Sequence, residues 1–368
     1  MKDTASGWCL PAVGIPQTTV VSGAWVGSCE QAHAPLSSRC TRTSSHLTIT
    51  VVCMTTVAYL GPAGTFTEQA LLQFAARGCF GSANDFTTLP VDSPNAALAA
   101  VAGGQATHAV VAIENSVDGA VTSTFDALHN HPTVQIIGET AIDIAFTIMA
   151  RQPIDPATIT TFATHPVAHR QVASWLAQHA PNATFLPATS NAAAAHLVAE
   201  GKADAAAAPP RAAELTGLVP LAEGIADVAG ARTRFVLCTT ATTPAPPTAL
   251  DRTSVEFVLP NTPGSLVGAL QEFATRGVDL TCIESRPTRE SLGTYRFHAD
   301  LIGHITDPEV SAALAALYNH CTTIRFLGSW SITEASPTTS RTQPNQQQPQ
   351  PIDHNTQTGD QWVASLLQ

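Results

Sequence analysis

The chain has 368 residues, 44% hydrophobic and 12% charged, which suits globular material and is long enough for two modest domains. Its 17 Lys+Arg stand against 28 Asp+Glu, a formal net charge of -11, and this argues against nucleic-acid or anionic-membrane partners, which require a basic face. A small anion held by a few placed donors remains compatible with that balance.

The eight cysteines form no CxxC or CxxH pair, so neither zinc nor disulfides are expected, and no cofactor site is evident. Residues 1–30 lack the basic start and apolar core of a secretory signal, and no run reaches transmembrane length, which makes the cytoplasm the expected location. Residues 1–53 show no sustained period until "LTITVVCM" and are read as a disordered extension or an over-extended start, with Met54 directly before the first convincing strand, "TTVAYL".

Over 54–240, apolar runs alternate with amphipathic stretches, the pattern of an α/β layer fold with mostly parallel strands. The expected strands are "VAYL", "HAVVAI", "ITTFAT", "TFLPAT", "DAAAA" and "RFVLC". The expected helices are "TEQALLQFAAR", "VAHRQVASWLAQH" and "AAAAHLVAEG". Open sheets of this kind bind ligands at the carboxyl ends of their strands.

Those ends carry hydrogen-bonding residues. "YLGPAGTFTE" sets a glycine loop before a helix whose Thr65 and Glu68 have capping-box spacing; the free N–H groups form either an anion cradle or a simple tight turn. "AIENSVDGAV" ends its strand on Glu114, Asn115 and Ser116, which suit ligand binding or capping of a helix near Gly119. "THPVAHRQ" supplies Thr164 and His165, with Gln171 as an amide on an apolar helix stripe; "PATSN" supplies Thr189, Ser190 and Asn191. In "ADVAGARTRFVLCTT" two arginines flank Thr233 at the mouth of a buried run, a solvated turn unless the other strand ends make it part of a cleft. Four such ends describe a cleft for a polar anion.

Residues 241–251, within "TTATTPAPPTAL" and the start of the next strand, read as a stiff linker. Residues 252–330 read strand, helix, strand, strand, helix, strand, a ferredoxin-like βαββαβ order. The Gln-, Pro- and Thr-rich segment 331–368 is expected to be a disordered tail.

In this order, "GPAGTFTE", "IENSVDGAV", "THPVAHRQ", "TRF", "NTPGSLVGAL" and "IESRP" resemble the bacterial monofunctional prephenate dehydratases with a C-terminal ACT regulatory domain, over about residues 55–330. The resemblance implies a two-lobed, periplasmic-binding-protein-like catalytic domain followed by a ferredoxin-like ACT domain. It implies conversion of prephenate to phenylpyruvate in phenylalanine biosynthesis, without cofactor or metal. Thr233 falls on the family's proposed donor to the leaving hydroxyl, whereas pKa reasoning alone favours His165 or Glu114. Asn115, Thr164 and Gln171 fall on substrate-orienting positions; Gly64, Thr65 and Ser190 on carboxylate-binding ones; Arg234 on a residue that counters a carboxylate or braces the cleft.

Thr164 stands where Ser is usual, and Ala231 where many members carry Asn. Gly264, Ser265, Leu266 and Val267, with Glu284, Ser285, Arg286 and Pro287, match the two segments that bind phenylalanine between paired ACT domains, which implies a homodimer or homotetramer inhibited by its end product. Arogenate is the alternative substrate, and a non-catalytic anion or amino-acid sensor the alternative of another class.

Overall fold

The computed structural model describes residues 54–81, 86–289 and 293–332, and the backbone of 40–44 and 47–51. Within the segment read as an extension, β1 (Cys40–Ser44) and β2 (Leu47–Val51) pair antiparallel. The rest of that segment, and the tail beyond 332, lie outside the described residues.

The first lobe runs β3 (Thr55–Leu60), α1 (Phe66–Ala76), β4 (Phe86–Val91), α2 (Pro94–Ala102), β5 (His108–Asn115), β6 (Gly119–Ala120), α3 (Thr122–Asn130) and β7 (Val134–Asp143). Two of its helices, α1 and α2, start where the sequence provides caps. Thr65 Oγ1 accepts from the N–H of Glu68 at 3.2 Å, and Ser93 Oγ from that of Ala96 at 3.1 Å, directly before Pro94, whose missing N–H costs a first turn nothing. The face of α1 carrying Ala70, Leu71 and Phe74 is buried.

The chain then crosses into a second lobe: β8 (Phe146–Ala150), β9 (Thr161–Thr164), α4 (Pro166–Gln171), α5 (Ala173–His179), β10 (Thr184–Pro187), α6 (Asn191–Ala199), β11 (Ala205–Ala208), α7 (Pro210–Thr216) and β12 (Val219–Ile225). The stretch read as one helix over "VAHRQVASWLAQH" breaks at Val172, which caps both α4 and α5. The four alanines of β11 are fully buried, Ala206 and Ala208 in one cluster with Ala194, Ala195 and Ala212, and Ala205 and Ala207 in another with Ile148 and Phe162. Small side chains are what allow helices to approach that strand closely, and a core of this kind has little room for larger ones.

β13 (Arg232–Thr240) returns to the first lobe and inserts between β5 and β7, antiparallel to both. The sheet orders are β4-β3-β5-β13-β7, with β6 on β5, and β10-β9-β11-β8-β12. Both sheets are mixed rather than mostly parallel. The strands next to the lobe crossings, β13 in one sheet and β8 in the other, run antiparallel to their neighbours, because a chain that crosses out and back must return in the opposite sense. At the crossing, the N–H of Ile144 donates to the carbonyl of Ala231 at 2.7 Å, and Ala231 is buried. Ala231, one of the two catalytic-domain positions that depart from the resemblance, thus lies in the backbone of the lobe crossing.

Residues 241–250 carry no helix or strand. The C-terminal domain follows as β14 (Asp251–Val258), α8 (Ser265–Ala274), β15 (Leu280–Pro287), β16 (Tyr295–Ile302), α9 (Pro308–His320) and β17 (Thr323–Ser331), with strand order β15-β16-β14-β17. It docks β17 against β7. A Cβ on Gly328 would overlap the carbonyl of Ile136, so only glycine permits this approach, and Trp330 of β17 is buried in the first lobe's core with Ile136, Val236 and Phe125.

Candidate active site

Between β5 and β13 the register sets Thr233 opposite Asn115 and Arg234 opposite Glu114. Side chains alternate along a strand, so each pair takes its own face of the sheet. Asn115 Nδ2 donates to Thr233 Oγ1 at 2.8 Å. The orientation of the amide is set by its other end, where Oδ1 accepts from the N–H groups of Val117 at 2.8 Å and Asp118 at 3.0 Å. Thr233 is 6% exposed.

From the second lobe, α4 brings Gln171 and Arg170 to the Asp118 carboxylate: Gln171 Nε2 donates at 3.3 Å and Arg170 Nη2 at 2.8 Å. These contacts bridge the lobes. Gln171 is buried, and its Oε1 has no hydrogen-bond partner among the described residues, an arrangement that is costly unless another donor reaches it. His165 caps α4 through Nδ1, which accepts from the N–H of Val167 at 3.3 Å. Burial, then the nearby Arg170 charge, lowers its pKa below 6.5 against the opposing pull of Asp118, so the imidazole is neutral at pH 7.

The other strand ends hold their polar groups locally. Thr164 is fully buried; its hydroxyl donates to the Ala207 carbonyl at 2.9 Å and approaches Asn191 Oδ1 at 3.3 Å. Asn191 Oδ1 also accepts the N–H of His165 at 3.2 Å. Ser190 Oγ caps α6 through the N–H of Ala193 at 3.0 Å. The N–H of Gly64, expected to meet a substrate carboxylate, donates to Glu68 Oε2 at 2.6 Å, and Thr65 Oγ1 donates to the Leu60 carbonyl at 3.1 Å. Gly64 lies at φ +90°, and a Cβ there would stand 3.1 Å from Cα of Ala212 in α7, so the glycine loop closes directly on the second lobe.

A model of the prephenate dehydratase family matches residues 57–243, and one of the ACT domain residues 253–317. A prephenate dehydratase of Corynebacterium glutamicum is 57% identical over 78% of this chain and 91% of its own length. The chain belongs to the prephenate dehydratase family. Its enzyme class, a carbon–oxygen lyase, comes with that membership. A prephenate dehydratase from Arthrobacter aurescens, solved in complex with L-Phe, is 40% identical with a TM-score of 0.69, covering 77% of this chain and 94% of that one. A protein described as a novel type of quorum quenching acylase shares the architecture at 29% identity and TM-score 0.66, covering 77% of this chain and 98% of that one.

Placed on this dehydratase fold, the residues singled out by sequence divide. Thr233 and Asn115 share one face of the first-lobe sheet, and Gln171 of the second lobe reaches the loop beside them through Asp118. Glu114 and Arg234 turn to the other face: Arg234 pairs with Glu114 at 3.1 Å, Glu139 at 3.2 Å and Asp300 of the ACT domain at 2.6 Å. Arg234 thus braces the sheet through three of the protein's own carboxylates. Sequence reasoning passed over Asp118 and Arg170, which join the lobes; the only signal was their presence inside quoted motifs.

In the ACT domain, Gly264 sits at φ +87° before α8, and Ser265 Oγ donates to the Thr262 carbonyl at 2.8 Å. Arg286 of "ESRP" is paired with Asp126 of α3 at 2.9 Å, as are Arg289 at 3.0 Å and Arg296. The hydrogen bond from Arg286, then the three arginine charges, hold the Asp126 carboxyl below its ordinary range despite partial burial. Glu284 and Ser285 lie on β15 opposite His298 and Phe297, and Pro287 opposite Tyr295. Among the described residues, no group of three His, Cys, Asp or Glu side chains could hold a metal ion, and no helix is long and apolar enough to cross a membrane.

Proposed function

We propose that the cleft converts prephenate to phenylpyruvate, with the Thr233 hydroxyl as donor to the leaving group. The ring carboxylate departs as carbon dioxide, its bonding electrons move into the ring, and the ring C–O bond breaks. The expelled oxygen takes a proton and leaves as water. Aromatisation drives the reaction, and the barrier lies in charge building on the departing oxygen, where a positioned donor acts most strongly.

The observation that carries this reading is the Asn115 to Thr233 hydrogen bond. Because Asn115 is the donor, the threonine oxygen is the acceptor and its proton is available to a substrate oxygen. The neutral imidazole of His165 supports the same choice, since a histidine whose pKa is lowered is not a stored acid at pH 7. Gln171, through its unpaired Oε1, would accept from a substrate hydroxyl, and Asn115 and Thr164 would shape the pocket. A carboxylate displacing Glu68 from the Gly64 N–H would complete the anion site, with Thr65 and Ser190 beside it.

We further propose that phenylalanine binds at Gly264–Val267 and Glu284–Pro287 between paired ACT domains and inhibits the enzyme, which requires preferential binding to the less active arrangement. Apolar side chains exposed on that domain, Val267 at 70%, Tyr295 and Ile283, support pairing of two copies. Cys79, Cys238, Cys282 and Cys321 are free thiols, in keeping with work in the cytoplasm. Phenylpyruvate absorbance in base after mixing prephenate or arogenate with the purified protein tests the reaction and the substrate together; no product from either would leave only the sensor.

A further inference from the structure

Arg234 follows Thr233 directly, and the β5 ladder is bulged between Arg234 and Phe235. The bulge interrupts pairing on the β5 edge just after the donor, while the β7 ladder runs unbroken past Arg234 on the other edge, so the β5 side is where a further anchor acts. The Arg234 side chain supplies one. It is 12% exposed and reaches three carboxylates, two on its own sheet, Glu114 and Glu139, and Asp300 on β16 of the ACT domain, at 2.6 Å the shortest of the three.

Asp300 is itself buried, 3.9 Å from Arg252 Nη1, and Arg252 Nε donates to Glu139 Oε2 at 2.9 Å. Trp330 Nε1 donates to the same oxygen at 3.1 Å. Burial opposes the charged form of Arg234, but Asp300, Glu139 and Glu114 more than offset it, so the guanidinium stays charged; Asp300 is likewise held ionised by Arg234 and Arg252 against burial. The group is a closed ionic lattice in which one regulatory-domain carboxylate holds the residue next to the donor.

We propose that Asp300 of the ACT domain is a positioning residue for the dehydratase reaction, fixing through Arg234 the strand end that presents Thr233 to the cleft. This rests on Thr233 as donor. Asp300 touches no substrate; its effect is to hold geometry, and small misplacements of reacting groups cost rate more than binding.

The test uses the full-length protein at a temperature well below its melting transition. Asp300→Asn keeps the shape and removes the charge; kcat should fall about 10-fold or more while KM stays within about threefold. In a Thr233→Ala background the same change should lower kcat no further, because the group being positioned is gone. An unchanged kcat in folded Asp300→Asn, or an equal loss in both backgrounds, overturns the proposal, since a purely structural residue would act alike in each. If Asp300→Asn does not fold, Asp300→Glu, which shifts the carboxylate by one methylene, is judged by the same two criteria. Thr233→Ala alone reports on the donor assignment, so its failure is read separately from a failure at Asp300.

Discussion

Asn115 gives one of its two amide protons to Thr233 across 2.8 Å, and the bond runs in that direction because two backbone N–H groups occupy its carbonyl oxygen. The threonine therefore keeps its own proton to donate. Thr233→Ala should lower kcat by about 100- to 10,000-fold, the range of general acid help, with KM little changed, and Thr233→Ser should retain most activity. Near-normal turnover of Thr233→Ala in a phenylpyruvate assay would remove the residue from the chemistry.

Asn115→Asp tests the direction of that bond. A carboxylate in the same place accepts the threonine proton, turning donor into bound partner, so kcat should fall about as far as in Thr233→Ala. Circular dichroism separates this from unfolding.

Gln171 reaches Asp118 with one end and leaves the other unpaired. Gln171→Leu removes the amide and keeps most of the volume. KM for prephenate should rise, and stability should hold or improve, since an unsatisfied buried acceptor is lost. A lower melting temperature with unaltered KM would mean that the amide serves the fold alone.

Glu139 is the hub between the domains, accepting from Arg234, Arg252 and the Trp330 indole. Glu139→Ala leaves two buried guanidinium groups short of a partner, and urea denaturation should show a loss of about 3–5 kcal/mol. A loss well under that range would mean water or other carboxylates compensate.

Acid should weaken the fold in two steps. Burial lowers the pKa of His108, and burial followed by Arg170 lowers that of His165, from 6.5. Between 6.5 and the lower folded values the unfolded chain binds protons that the folded one refuses, so stability is complete above 6.5 and is lost as pH falls through that window. Asp204, with its Thr160 and Thr161 bonds, sits at about 2 instead of 3.8, which adds a second loss between those values. Melting curves across this range should show both, and His108→Leu should shrink the first; a melting temperature constant from neutral to pH about 5 would contradict the histidine part.

Phenylalanine regulation is checked by titration calorimetry, in which absence of heat would exclude binding at Gly264–Val267 and Glu284–Pro287. Val267→Asp places a charge on an exposed apolar side chain; light scattering should show a smaller oligomer with folding intact.

The sequence by itself determined many of the elements and the order of the C-terminal domain. Capping residues Thr65 and Ser190 start helices where their side-chain oxygens accept a backbone N–H, and the C-terminal βαββαβ order follows from apolar periods, because these are local properties of neighbouring residues. The motif order carried the family. Strands β4, β7, β8 and β12, which border turns or lobe crossings, went unread, as did the short β1 and β6.

Only the tertiary structure decided what the polar strand ends do. Thr233 and Arg234 are neighbours in the chain, and the sequence left Arg234 either to counter a carboxylate or to brace the cleft. Strand alternation sends one to the cleft and the other to the ACT domain, where Asp300, 66 residues away, claims it. Asp118 likewise meets Arg170 and Gln171 only because the lobes fold onto each other. A donor or a charge announces its chemistry in the sequence, but its partner is chosen by long-range packing, and the partner fixes whether that chemistry is available to a ligand.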